Sequence, residues 1–270
     1  MKNMPGGVWQ MYAKVLSVAN NKGGIGKSTS VYNIGSSLAR SGKTVLLIDM
    51  DPQYSLTLAC GMEPYMEEFH GMSTMRLFQN NIDPLDCCFS VDAVSAQKPT
   101  LFIVPARQEL ALTAKQIATQ KAAIEIFRSN INRLRDYFDF IILDNAPTLD
   151  DLLIASLVAS DGVIVPVKPE KLSYASLDLI LPTIEAIKTA PDNQPNNRNL
   201  EVVGLIATMY RKQSKEHRDY VKKIEEEHKL LGIVPLSTSV TKSIESGLPV
   251  VVAYPTSAAA KEYNHIALSI

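Results

Sequence analysis

Short, wholly apolar runs alternate along this chain with longer stretches whose apolar residues recur three and four positions apart. Residues 14–19 and 44–48 are the first two apolar runs, and each reads as a strand buried on both faces. Between them Val31, Ile34 and Leu38 share one helical face, and Gly42 stands where a helix end favours a left-handed residue. Strand, helix and strand in so short a span form a βαβ unit, which implies a parallel sheet. The pattern goes on, with strands expected at 101–104, 138–143, 162–167, 202–208 and 233–236. Helices are expected over 107–136, 149–159, 173–189, 213–229 and from 257 onward, and the Pro- and Asn-rich residues 190–199 read as a surface loop. The fold class is therefore α/β: a doubly wound, mostly parallel sheet flanked by helices, as one domain over 14–270. Residues 1–13, which hold the only tryptophan, Trp9, are expected to be a flexible arm.

Composition narrows the function classes. Apolar residues make up 46% and charged residues 20% of the 270, which excludes wholesale disorder. With 27 basic and 28 acidic side chains, a uniformly basic coat for nucleic acid is excluded, though a local patch is not. Three cysteines without a C-x-x-C pair argue against a disulfide scaffold or a cysteine-rich zinc site. The adjacent Cys87 and Cys88 read as packing or surface residues, not a redox pair, and the four histidines lack metal-ligand spacing, with His217 and His228 expected to be exposed. No apolar run approaches the ~20 residues that cross a bilayer, and no leader pattern opens the chain, so a cytoplasmic location is expected.

The candidate chemistry begins after the first strand, at Asn20-Asn-Lys-Gly-Gly-Ile-Gly-Lys-Ser-Thr29. A glycine-rich turn between a strand and a helix lets backbone N–H groups wrap a polyphosphate, and the helix N-terminus adds positive potential. The cradle comprises Lys22, Gly23, Gly24, Ile25, Gly26, Lys27, Ser28 and Thr29. In such a loop Lys27 reaches the β- and γ-phosphates and Ser28 ligates Mg²⁺, so a polyphosphate and Mg²⁺ are expected. Two further acidic stations end apolar strands: Asp49-Met-Asp-Pro-Gln53 and Asp144 after Phe140-Ile-Ile-Leu143. In a parallel sheet both arrive at the edge where ligands bind.

The loop departs from G-x-x-x-x-G-K-[ST] at Asn21, which replaces the first glycine, and it carries an additional lysine, Lys22. In this it resembles the deviant Walker A loop of the ParA/Soj/MinD family of ATPases, and the likeness extends over most of the chain. The resemblance implies that Lys22 crosses a dimer interface to the partner's nucleotide. It implies that Asp51 positions the attacking water, Asp49 lies near the magnesium shell, and Asp144 holds Mg²⁺ through water. Pro235 and Ser237 would border the adenine. Where the family commonly has Gly-Asn after Asp-Pro-Gln, this chain has Tyr54-Ser55, which alters the switch loop. Asn145-Ala-Pro147 stands where iron-protein relatives place a cluster cysteine, so no bridging iron–sulfur cluster is expected.

Relatives that ride on the nucleoid grip DNA with basic residues near Arg211, Lys212, Lys215, Arg218 and Lys222. Read from charge alone, this run is also an ordinary solvated helix face. The family's Pro-Arg-Asn-Val-Arg becomes Pro235-Leu-Ser-Thr-Ser239 here, without either arginine. The expected protein is a ParA-type ATPase that dimerises on ATP, binds DNA nonspecifically on the nucleoid and is stimulated by a ParB-like or adaptor partner. Two alternatives share the engine: a MinD-like membrane-bound ATPase and a nucleotide-gated scaffold with negligible turnover. The 258–270 segment has a single lysine, a poor match to a basic lipid-binding helix, so no membrane partner is expected.

Overall fold

The computed structural model describes residues 2–3, 9–10, 12–69, 71–91, 100–119 and 122–270. The main sheet is built from β1 (Lys14–Val18), β2 (Val45–Met50), β3 (Phe89–Ser90), β4 (Leu101–Val104), β5 (Phe140–Asn145), β6 (Gly162–Val167), β7 (Glu201–Tyr210) and β8 (Leu230–Pro235). Its order is β8-β7-β6-β1-β5-β2-β4-β3, parallel throughout except for β3, which pairs antiparallel with β4. The strands are short, β-branched and apolar on both faces, as a sheet covered on both sides requires. Alternate residues feed two separate cores. Leu46, Ile48, Ile141 and Leu143 point into one, and Leu16, Val18, Leu47 and Ile142 into the other.

The first core is closed by α3 (Leu110–Thr119), α4 (Ala122–Leu134), α5 (Asp151–Ala159) and α7 (Leu177–Thr189), through Ile117, Phe127, Leu152 and Ile180. The second is closed by α1 (Lys27–Arg40), α10 (Val250–Ala253) and α11 (Ala258–Leu268), through Ile34, Val250 and Ile266. Three hydrogen bonds fasten α1 to the C-terminal part. Tyr32 Oη donates to the Gly247 carbonyl at 3.1 Å, Val251 N donates to Asn33 Oδ1 at 3.3 Å, and the hydroxyls of Ser30 and Tyr263 meet at 3.3 Å. Gly42 ends α1 as expected, at φ +91°.

Several boundaries differ from the sequence reading. Within the helix expected over 107–136, helical residues are described over Leu110–Thr119 (α3) and Ala122–Leu134 (α4), and that over 173–189 is α6 (Lys171–Tyr174) followed by α7. α8 spans Lys215–Glu227, and β8 begins before its expected start. Three short helices had no periodic signal: α2 (Ser55–Ala59), α9 (Thr238–Glu245) and α10. Each is too short to display a repeating apolar face. Of the expected flexible arm, Lys2–Asn3 pairs antiparallel with Trp9–Gln10, and Ala13 N donates to the Arg135 carbonyl at 3.1 Å. Residues 1, 4–8 and 11 of that arm lie outside the described residues.

Candidate functional site: a phosphate cradle beside two buried carboxylates

β1 lies where the strand order reverses, with β5 on one side and β6 on the other. Crevices beyond the carboxyl ends of such strands are where α/β sheets receive ligands. After β1 the chain is turned by Asn20, whose Nδ2 donates to the Pro166 carbonyl at 2.8 Å and whose Oδ1 accepts from Lys22 N at 3.0 Å. Gly24 and Gly26 take φ of +69° and +82°, a region that favours glycine. Between them Ile25 is buried, and its carbonyl accepts from Thr208 Oγ1 at 2.8 Å. The loop is thus pinned to β6 and β7 beside a hollow of about 440 Å³, walled by Gly23, Lys27, Ser28, Asp51, Gln53 and Met209. The start of α1, with Gly26 as its N-cap, brings the positive end of the helix dipole there, roughly half a charge.

Lys27 is only 7% exposed, and its Nζ donates to the Lys22 carbonyl at 2.9 Å. Burial lowers its pKa, and the charges of Asp144 and Asp51 work against that shift. Lys22 is half-buried and forms no ion pair among the described residues.

Asp49 and Asp144 face each other in the β2–β5 register, and both are fully buried. Their surroundings differ. Asp49 Oδ1 accepts from Asp51 N at 3.1 Å, and Oδ2 accepts from Thr57 N at 2.9 Å and Thr57 Oγ1 at 2.7 Å. Burial pushes the Asp49 carboxyl up to about 7 against the pull of those hydrogen bonds. Asp144 has no hydrogen-bond partner of ordinary geometry on either oxygen among the described residues. Burial first, and the charge of Asp49 second, push it well above the usual carboxylate range, with Ser28 and Lys27 pulling the other way. A buried carboxylate with two free acceptors beside a serine hydroxyl is a fitting place for a hard cation. Asp51 sits at the hollow's wall, with Oδ1 accepting from Gln53 N at 2.8 Å.

A smaller cleft of about 120 Å³ adjoins the hollow behind Gly26 and Thr29. Pro235, Ser237, Thr208 and Ile244 line it, and Met209 borders both spaces from a left-handed backbone at φ +52°. Ser237 is the N-cap of α9, and its hydroxyl is engaged with Ser239 at 2.7 Å, so that side chain is already committed within the protein. Another hollow, about 470 Å³, lies between α4 and the 192–196 loop. That loop precedes β7, so the space is at the opposite edge of the sheet from every residue above.

Arg211, Lys212, Lys215 and Arg218 are exposed and form no ion pair with a carboxylate among the described residues. Lys222 instead faces Glu226 at 3.6 Å. The expectation that His217 is exposed is overturned: the residue is 5% exposed. Its Nδ1 accepts from Arg211 N at 3.1 Å and its ring leans on Tyr210, so it shapes the turn carrying Arg211 and Lys212. Thr57 escaped the sequence reading, since it gives no signal inside a short helix, and the left-handed backbone of Tyr54 and Met209 leaves no trace in sequence.

A family model, AAA_31 (AAA domain), matches residues 13–202. The uncharacterized protein MJECL24 of Methanocaldococcus jannaschii is 33% identical over 242 residues, covering 87% of this chain and 90% of that protein. The sporulation initiation inhibitor protein Soj of Bacillus subtilis is 28% identical over 262 residues, covering 95% of this chain and 98% of Soj. The chain belongs to the ParA/Soj/MinD family of P-loop ATPases. In this family's fold the present chain superposes on a variant of Cyanothece McdA in complex with ATP with a TM-score of 0.81. That pair is 21% identical and covers 97% of this chain and 98% of the other. Among the described residues no helix is long and apolar enough to cross a membrane.

Proposed function

We propose that this ParA/Soj/MinD-family chain is a ParA-type ATPase whose ATP·Mg²⁺-bound form is a homodimer that binds DNA nonspecifically and positions plasmid, chromosome or another cargo. The observation that carries the ATPase reading is the pairing of a pinned cationic loop with Asp144, buried with both oxygens free. The glycine amides and Lys27 hold the β- and γ-phosphates, and the base enters the cleft at Pro235 and Ser237. Ser28 and Asp144 would hold Mg²⁺, which would supply neutralising charge to the phosphates. Asp51, with one oxygen held by Gln53 N, has its other oxygen for orienting water. Asp49, saturated by Thr57 and Asp51, fixes the strand tip from which Asp51 projects, close to the metal shell without ligating it directly. Phosphoryl transfer needs chiefly positioning and charge, which this arrangement supplies.

Lys22 reaches the partner protomer's nucleotide when two copies close face to face. Arg211 and Lys212 lie in the turn just after β7, and Lys215 and Arg218 in the first turns of α8, so the DNA grip adjoins the strand whose Met209 borders both nucleotide spaces. Lys222 contributes less because Glu226 competes for it. A ParB-like or adaptor protein stimulates hydrolysis and release, and the protein works in the cytoplasm on the nucleoid. Light scattering with a nonhydrolysable ATP analogue and Mg²⁺ tests this. The wild-type mass doubles, Lys22→Ala binds nucleotide but stays monomeric, and Lys27→Ala loses nucleotide binding by calorimetry. An unchanged wild-type mass refutes the dimer, and full affinity in Lys27→Ala refutes the loop assignment.

A further inference from the structure

Tyr54 occupies a backbone conformation that suits glycine, not tyrosine. Its φ is +47° and ψ +35°, at the junction between the Asp51 turn and α2. A side chain with a Cβ is sterically disfavoured there, so surrounding structure must hold it in place. The turn is closed on both sides: Gln53 N donates to Asp51 Oδ1 at 2.8 Å, and Tyr54 N donates to the Asp51 carbonyl at 2.8 Å. The turn whose Gln53 N holds the Asp51 carboxylate is therefore closed by the Tyr54 backbone.

The Tyr54 ring explains what holds it. It meets Tyr65 edge-on at 6.2 Å between centroids and 77° between planes. Tyr65 in turn lies under the Arg107 guanidinium at 5.4 Å and donates from its hydroxyl to Gln108 Oε1 at 3.3 Å. Arg107 is fixed from below by Glu109 at 3.4 Å and the Phe69 carbonyl at 3.5 Å. The 105–109 loop after β4 is a rigid platform, since it also receives Thr57, whose Oγ1 accepts from Ala106 N at 3.0 Å. A glycine at position 54 would adopt the same turn without strain but could not reach the platform.

We propose that Tyr54 is a positioning residue for hydrolysis, clamping the Asp51 turn to the 105–109 platform through Tyr65 and Arg107. The inference rests on the ATPase reading above and adds to it the element that fixes the water-orienting carboxylate. Because the phosphate loop is untouched by the clamp, its loss lowers kcat and leaves KM for ATP in place.

Steady-state ATP hydrolysis in the full chain, measured for wild type, Tyr54→Ala, Tyr54→Gly, Tyr54→Phe and Tyr65→Ala, tests it, with circular dichroism confirming folding. Tyr54→Ala and Tyr54→Gly are expected to lose about tenfold or more in kcat with KM within about twofold, since a small displacement of a positioned group is costly. Tyr54→Phe, which keeps the ring, retains about half or more of kcat, and the exposed Tyr65→Ala loses about threefold. Full kcat in Tyr54→Gly, or a loss that appears only in KM, overturns the proposal. If Tyr54→Ala does not fold, Tyr65→Ala decides alone, and wild-type kcat there overturns it. A wild type without turnover overturns the ATPase reading and the clamp together, whereas an active wild type with indifferent variants overturns only the clamp.

Discussion

Thr57→Val removes one hydroxyl and changes the side chain's shape little, so it isolates what that hydroxyl does. Thr57 is fully buried, and its Oγ1 donates to Asp49 Oδ2 at 2.7 Å while accepting from Ala106 N at 3.0 Å. Valine leaves the backbone bond from residue 57 to Asp49 intact but withdraws the second donor. A hydrogen bond to a charged group is worth about 1.5–3 kcal/mol, and orphaning a buried N–H costs about 1–3 kcal/mol. The two share one atom and are not fully additive, so a loss of roughly 3–5 kcal/mol is expected. At about 2–4 °C per kcal/mol for a chain of this size, Tm falls by roughly 6–20 °C. Thermal melts followed by circular dichroism without nucleotide measure it. Urea titration with an unchanged m-value confirms that stability, not the denatured state, has moved. Thr57→Ser keeps the hydroxyl and is expected to lose only about 1 kcal/mol for the missing methyl. A Tm in Thr57→Val within about 2 °C of wild type would refute the reasoning, because the hydroxyl would then be idle.

Asp144→Asn replaces a carboxyl that burial and Asp49 disfavour as an anion, so the nucleotide-free protein in chelator is expected to gain about 1–2 kcal/mol at pH 8. The same variant loses the extra stabilisation that Mg²⁺ adds with ATP, and a lowered Tm in chelator would contradict the reading. For His217, burial first and the charge of Lys168 second hold the imidazole pKa below its ordinary value. A depressed folded pKa contributes stability that is present above the unfolded pKa of about 6.5 and lost as pH falls through the folded value. His217→Asn keeps an acceptor for Arg211 N but cannot titrate, so urea stability should fall less steeply below pH 6.5 than in wild type. Parallel profiles would sink that account. For DNA, Arg211→Ala with Lys212→Ala should reduce the slope of log affinity against log salt by about 2, at roughly 0.9 for each phosphate no longer neutralised. An unchanged slope would remove both from the interface.

The parallel sheet was legible because its strands are buried on both faces, leaving unbroken apolar runs that polar loops interrupt. The cradle was legible because Gly24 and Gly26 must take positive φ and must lie between a strand and a helix, which fixes their spacing in sequence. Asp49 and Asp144 were legible as strand ends, but not their unequal surroundings. That Asp49 is saturated and Asp144 bare depends on Thr57 and on strand register, neither of which leaves a periodic trace. The His217 expectation failed for a related reason. Its helix is rich in charge, yet His217 shares the buried face of Val221 and Ile224, and its imidazole accepts from a backbone amide in the preceding turn.

The three hydrogen bonds that tie α1 to Gly247, Val251 and Tyr263 carry a consequence for how this protein could be dissected. The helix that opens on the larger hollow and the segment that backs the smaller cleft are braced as one body, although more than two hundred residues separate them in the chain. A fragment cut at the end of the AAA_31 match would keep every diagnostic motif. It would still lack half the seat for the nucleotide and the backing for the other half. Signature residues identify such a protein early in its sequence, but its competence to hold a ligand is completed only by its last helices.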